Sequence, residues 1–125
     1  TQACIDAVRA KGYQIIATTP HETSEFVGNF DVTKKAAFVF GVEKEGVSDL
    51  VLAQADAHLK VPMYGFTESL NVSVAAAIVL QNVSSRLRDT PVPWQLSADE
   101  KQAVYLQWLQ KSIKSIDKIL KRYEE

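Results

Sequence analysis

Two short segments hold most of the residues through which this chain could do chemistry. The first is Phe40-Gly41-Val42-Glu43-Lys44-Glu45-Gly46-Val47-Ser48, in which two glycines bracket an acidic turn. Gly41 and Gly46 let the backbone approach a ligand closely or adopt positive φ. Ser48 is placed to cap the helix that follows, with Asp49 favourable near its positive end. A strand-to-helix turn needs such residues for structure alone, so this segment by itself carries little weight. It contains no G-x-G-x-x-G fingerprint, and no Walker A lysine pattern occurs in the chain.

The second segment runs from Val61-Pro62-Met63-Tyr64-Gly65-Phe66-Thr67-Glu68 into Ser69-Leu70-Asn71-Val72-Ser73-Val74-Ala75-Ala76-Ala77. A strand ending at Pro62, a glycine-containing loop and a polar cluster lead into a helix predicted over 69–88. A helix N-terminus presents free N–H groups and a positive dipole end, which suits a carboxylate of a ligand. A capped core helix explains Ser69, but it explains less well why Ser69, Asn71 and Ser73 crowd an otherwise apolar element. Asn71 is costly there if it is buried without partners.

The elements that must position these residues follow from hydrophobic pattern. Ala3–Lys11 reads as the end of a helix, with Gly12 just past it. Gln14–Thr18 reads as a short buried strand, Ala36–Phe40 as a fully apolar one, His58–Met63 as a third interrupted by Pro62, and Val47–Ala55 as a short helix. Thr19–Lys35 reads as a loop. Strands of this kind alternating with helices predict an α/β fold, a parallel sheet with helices on both faces. Three strands are thin for such a sheet, so further strands are expected upstream of this chain, or cover from a partner subunit.

Thr90-Pro91-Val92-Pro93 predicts a stiff linker. Ser97-Ala98-Asp99-Glu100 then predicts a capping box opening one helix to about Tyr123. On it Tyr105, Leu109, Ile113, Ile116, Leu120 and Tyr123 share a face, and Lys111, Lys114, Lys118, Lys121 and Arg122 gather opposite. This amphipathic C-terminal helix packs on protein with solvated lysines outside, or its basic stripe meets RNA phosphates; both readings stay open.

Whole-chain properties exclude several classes. Net charge is −1, with 8 basic and 10 acidic residues over 1–90 and 6 basic and 5 acidic over 91–125, so any RNA contact is local. The longest apolar run, Val74–Leu80, is seven residues, against about 20 needed to span a bilayer. A single cysteine, Cys4, forms no internal disulfide and fits a cytoplasmic protein. His21 and His58 lack ligand spacing to Cys4 or to paired carboxylates, so no metal site is expected.

At the two segments described first, the chain resembles the SpoU/TrmH family of RNA 2′-O-ribose methyltransferases, in the SPOUT superfamily. Phe40–Ser48 is similar to the family's second motif. Val61–Ala77 is similar to its third, with Ser69–Ala75 as the core. Val42 and Lys44 depart from the commonest Asn and Gly; Glu-Lys-x-Gly does occur in the tRNA-modifying branch, which tilts the expected substrate towards tRNA. The resemblance implies a deep trefoil knot, S-adenosylmethionine as cofactor, RNA as substrate (tRNA guanosine first, rRNA second) and a homodimer. It implies cofactor contacts at Thr18, Gly41, Val61, Met63 and Leu70, and active-site roles for Glu43, Ser69 and Asn71. Residues 1–90 would form the knotted cofactor-binding domain with its N-terminal part missing, and 91–125 the proline linker and terminal helix. The family's first motif, an Asn followed by the Arg that activates the ribose hydroxyl, is expected upstream. Arg9 sits in a different context, so these residues alone are expected to bind cofactor but to transfer methyl poorly. The competing readings are a non-catalytic knotted dimer that binds RNA or a partner, and a generic small-ligand α/β domain.

Overall fold

The computed structural model describes residues 1–20, 23–42 and 44–124, without the side chains of Tyr123 and Glu124. His21 and Glu43 therefore lie outside the described residues. The chain forms two compact units, Thr1–Val92 and Pro93–Glu125.

In the first unit, α1 (Gln2–Arg9), β1 (Gln14–Thr18), β2 (Glu25–Phe26), β3 (Ala36–Val39), α2 (Asp49–Gln54), β4 (Ala57–Lys60) and α3 (Val72–Arg88) follow in order. The strands form one parallel sheet in the order β2-β4-β1-β3. Alternation along the strands sends side chains to two separate cores. Ile16, Leu59 and Val79 pack with Val27, Phe30 and Val32, with Ala36, Phe38 and Val61 at the margin. Ile15 and Ala17 pack with Ile5 and Val51, with Ala37, Val39 and Leu52 beside them. So α3 covers one face of the sheet and α1 and α2 cover the other. That is why Ile15-Ile16-Ala17 of β1 and Ala36–Val39 of β3 read as continuous apolar runs. Ile15, Ile16, Leu59 and Val79 are fully buried, each worth roughly 1.5–3 kcal/mol of transfer free energy.

Several boundaries differ from expectation. The predicted loop over 19–35 contains β2, whose two residues pair with Leu59 and Lys60 of β4. Two residues are too few to show a period, and only the neighbouring strand makes them a strand. Strand β4 stops at Lys60, because Pro62 has no N–H to offer a ladder. Helix α2 is shorter than Val47–Ala55, and Ser48 takes its N-cap position without a side-chain bond.

Helix α3 begins at Val72 rather than Ser69. Asn71 is its N-cap, with a non-helical ψ of 138°, and its Oδ1 accepts the Ser73 N–H at 2.9 Å. Asn71 is thus exposed and partnered, not buried. At the far end, Arg86 donates to the carbonyls of Val27 (3.0 Å) and Phe30 (2.8 Å), tying α3 to the segment after β2.

In the second unit the single predicted helix is two, α4 (Ala98–Ser112) and α5 (Ile116–Glu124). The capping box forms as expected: Glu100 N–H donates to Ser97 Oγ and Ser97 N–H to Glu100 Oε2. The break falls at Ile113–Ser115. Ser112 Oγ donates back to the Leu109 carbonyl, and Ser115 adopts φ 61°. Serines offer the backbone such alternatives to helix, and β-branched Ile113 adds little helical preference. The basic stripe is divided accordingly. Lys111 ends α4, Lys114 lies in the break, and Lys118, Lys121 and Arg122 share a face of α5.

Candidate active site

Three neighbouring parallel strands end together, and ligands in open parallel sheets bind beyond the carboxyl ends of their strands. β1 lies between β3 and β4, so Thr18, Phe40 and Val61 emerge side by side. Thr18 Oγ1 donates to the Val39 carbonyl at 2.9 Å, and Thr19 N–H donates to the Leu59 carbonyl at 2.9 Å. These bonds fasten the end of β1 to both neighbours. Above them opens a cavity of about 480 Å³, within the range of roughly 300–1,000 Å³ usual for small-molecule sites.

One wall is the turn after β3. Val42 and Gly46 exchange reciprocal backbone hydrogen bonds of 3.0 and 2.9 Å, folding the turn onto itself. Gly46 needs its φ of 68° to do so. Gly41 lies against the returning chain: a Cβ there would stand 2.1 Å from the Gly46 carbonyl carbon and 2.3 Å from Val47 N. No side chain fits, so glycine at 41 is a packing requirement.

The opposite wall is the loop between β4 and α3. Among the described residues, none from Val61 to Leu70 makes a backbone–backbone hydrogen bond. Val61, Met63 and Leu70 add apolar side chains to the cavity, and Glu68 and Ser69 add polar ones. A ligand with hydrogen-bonding edges and an apolar body finds both kinds of partner here. Asp49, Glu45 and Glu68 face the same space as Lys44 and Lys60, so a cationic centre in the ligand has carboxylates within the lining.

The structure brings Thr18, Gly41, Val61, Met63, Ser69 and Leu70 into one cavity. Asn71 is next in the chain but does not line it; its side chain caps α3 and binds the Ser73 hydroxyl at 2.5 Å. Glu43 lies outside the described residues.

Residues 1–81 match the model of the SpoU rRNA Methylase family. The chain belongs to the SpoU rRNA methylase family. That match spans every residue lining the cavity, from Thr18 to Val79. The chain is 39% identical over 111 residues to the tRNA (guanosine(18)-2'-O)-methyltransferase of Borreliella burgdorferi, covering 89% of this chain and 51% of that protein. It is similar to the TrmH/SpoU tRNA modifying enzyme of A. aeolicus, with TM-score 0.71 and 32% identity over 90% of this chain and 59% of that one. It is also similar to the SpoU methyltransferase AviRb of Streptomyces viridochromogenes in complex with the cofactor AdoMet, with TM-score 0.56, 30% identity, and 70% and 35% of the two chains covered. The chain spans about half the length of the curated relatives it matches.

Within this SpoU-family cavity, sequence reasoning missed Thr19, Pro20, Asp49, Leu52, Lys60, Glu68 and Ala75. They come from six separate stretches of chain, and only the sheet order makes them neighbours. Glu68 was within reach of a closer reading, since it sits in the loop that the second segment marked. Arg9 lies elsewhere. It donates to the Gln54 carbonyl and stands 3.3 Å from Asp56, whose other oxygen accepts the Ile15 N–H at 2.7 Å. These residues flank the starts of β1 and β4, at the ends of the strands opposite the cavity. His58 Nε2 lies 3.2 Å from the Leu52 carbonyl, a structural contact. Among the described residues no three His, Cys, Asp or Glu side chains gather as a metal site would need, and no helix is long and apolar enough to cross a membrane.

Proposed function

We propose that this chain forms the S-adenosylmethionine-binding part of an RNA 2′-O-ribose methyltransferase whose substrate is a guanosine of tRNA. The observation that carries the reading is the convergence of Thr18, Gly41, Val61, Met63, Ser69 and Leu70 on one cavity, inside a stretch that matches the SpoU family. Relatives named as tRNA guanosine methyltransferases and a SpoU structure holding AdoMet support the choice of substrate and cofactor.

Val61, Met63 and Leu70 would hold the nucleoside through apolar contact, with the unpaired backbone at Val61, Met63, Glu68, Ser69 and Leu70 reading its edges. Thr18 and Gly41 would close the floor. Bound S-adenosylmethionine supplies an electrophilic methyl group. Ser69, Glu43 and Asn71 are the polar residues assigned to the ribose and the reacting group, Glu43 and Asn71 by sequence match alone. A ribose hydroxyl is a poor nucleophile near neutral pH and needs a proton acceptor. Arg9 is engaged at the opposite ends of the strands, so we assign that role to a part of the whole protein beyond these 125 residues.

The same reading includes a trefoil knot through which α3 passes, a cytoplasmic homodimer, and RNA contact by Lys111, Lys114, Lys118, Lys121 and Arg122. Val74, Ile78 and Leu80 on α3 are exposed while Val79 is buried, which supports cover by a second copy. The division of the basic stripe weakens the RNA contact and leaves Lys118, Lys121 and Arg122 as its stronger part.

Mass spectrometry of ribose-methylated nucleosides from a deletion strain tests the activity: loss of one 2′-O-methylguanosine from tRNA is expected, and unchanged tRNA and rRNA overturn it. Calorimetry with S-adenosylhomocysteine tests the pocket. Residues 1–125 alone should bind that product yet transfer little methyl; transfer at the whole protein's rate would contradict the division of labour.

A further inference from the structure

Tyr64 and Phe66 are the most exposed large apolar side chains among the described residues, at 93% and 107% of full exposure. They belong to the loop that walls the cavity. Met63 on one side and Glu68, Ser69 and Leu70 on the other line it. Tyr64 follows Met63 directly, so their Cα atoms are about 3.8 Å apart, and Phe66 precedes Glu68 by two residues. Gly65 between the two rings has φ 99°, a conformation that glycine adopts without strain. Among the described residues neither ring meets another ring or a cation.

Single exposed apolar residues are ordinary. Two exposed rings, two residues apart, on a loop without backbone hydrogen bonds bury nothing within these 125 residues. Unpaired RNA bases stack on such rings, and stacking tolerates any base because each has a π-face. Lys44 and Lys60 line the same cavity among Glu45, Asp49 and Glu68, so stacking rather than net charge carries the contact. We propose that Tyr64 and Phe66 form a stacking platform for unpaired bases beside the ribose that enters the cavity. This rests on the methyltransferase reading above.

The test uses the full-length protein with Tyr64→Ala, Phe66→Ala, Phe66→Leu and Phe66→Tyr. Each alanine variant should raise the Kd and KM for unmodified tRNA roughly tenfold. Affinity for S-adenosylhomocysteine, kcat at saturating tRNA and mass by light scattering should stay at the unaltered protein's values. Phe66→Leu should behave as the alanine variant and Phe66→Tyr as the unaltered protein. Unchanged tRNA affinity in the alanine variants overturns the platform. A fall in mass also overturns it, by placing the rings under a second copy of the chain. If the unaltered protein binds neither S-adenosylhomocysteine nor tRNA, the methyltransferase reading fails and takes the platform with it. Normal methylation by an unaltered protein whose alanine variants hold tRNA equally well sinks the platform alone.

Discussion

Gly41 and Gly46 pack backbone on backbone, so that a methyl group on Gly41 would stand 2.1 Å from the Gly46 carbonyl carbon. Nothing flexible is available to move aside. Gly41→Ala must therefore displace the turn that walls the cavity, at about 1–3 kcal/mol. Tm should fall by several degrees, and calorimetry should show S-adenosylhomocysteine affinity reduced at least about tenfold, since each 1.4 kcal/mol is a factor of ten. A variant with both values intact would show that the turn is not a rigid part of the site.

Asn71 separates folding from chemistry. Its Oδ1 caps α3, so Asn71→Ala should lose about 1 kcal/mol of stability. Asn71→Asp keeps the cap and adds a favourable charge at the helix start, so denaturation should hardly change. If Asn71 also serves the ribose, methyl transfer by the aspartate variant should still fall at least about tenfold. A stable aspartate variant with full activity would confine Asn71 to capping.

Arg86 bridges the Val27 and Phe30 carbonyls, and Val27 and Phe30 belong to the core over α3. Arg86→Met should lower stability by about 2–3 kcal/mol in urea denaturation. Arg86→Lys should recover only part of it, because one ammonium cannot match the guanidinium fork.

Acid should weaken the molecule in a defined window. Hydrogen bonds from the Thr33 side chain and backbone, then the charges of Lys34 and Arg86, hold the Asp31 carboxyl below its ordinary 3.8. Bonds from Ser97 hold Glu100 below 4.5. A depressed carboxyl stabilises the fold above its unfolded pKa, and the contribution disappears as pH falls through the folded value. Both groups are fully exposed, so the effect is screened and small. Thermal denaturation from about pH 5 down to about pH 2 should show a loss that is shallower in Asp31→Asn. Identical profiles would remove Asp31 from the account.

Much of this was legible in the chain itself. The apolar strands, the glycine turn, the polar entry to α3 and the Ser97–Glu100 box are local, so composition and period suffice to find them. The family resemblance, rather than composition or period, marked Thr18, Gly41, Val61, Met63, Ser69 and Leu70, which do share one cavity. What required the folded molecule was everything set by neighbours distant in sequence. β2 exists because β4 offers it a ladder. Arg9, already set aside by its sequence context, is held by Gln54 and Asp56 at the starts of β1 and β4, the ends of the strands away from the cavity. Asp49, Leu52 and Lys60 join the cavity because β1 lies between β3 and β4. Periodicity reports which face a residue prefers, whereas strand order decides which faces and ends meet.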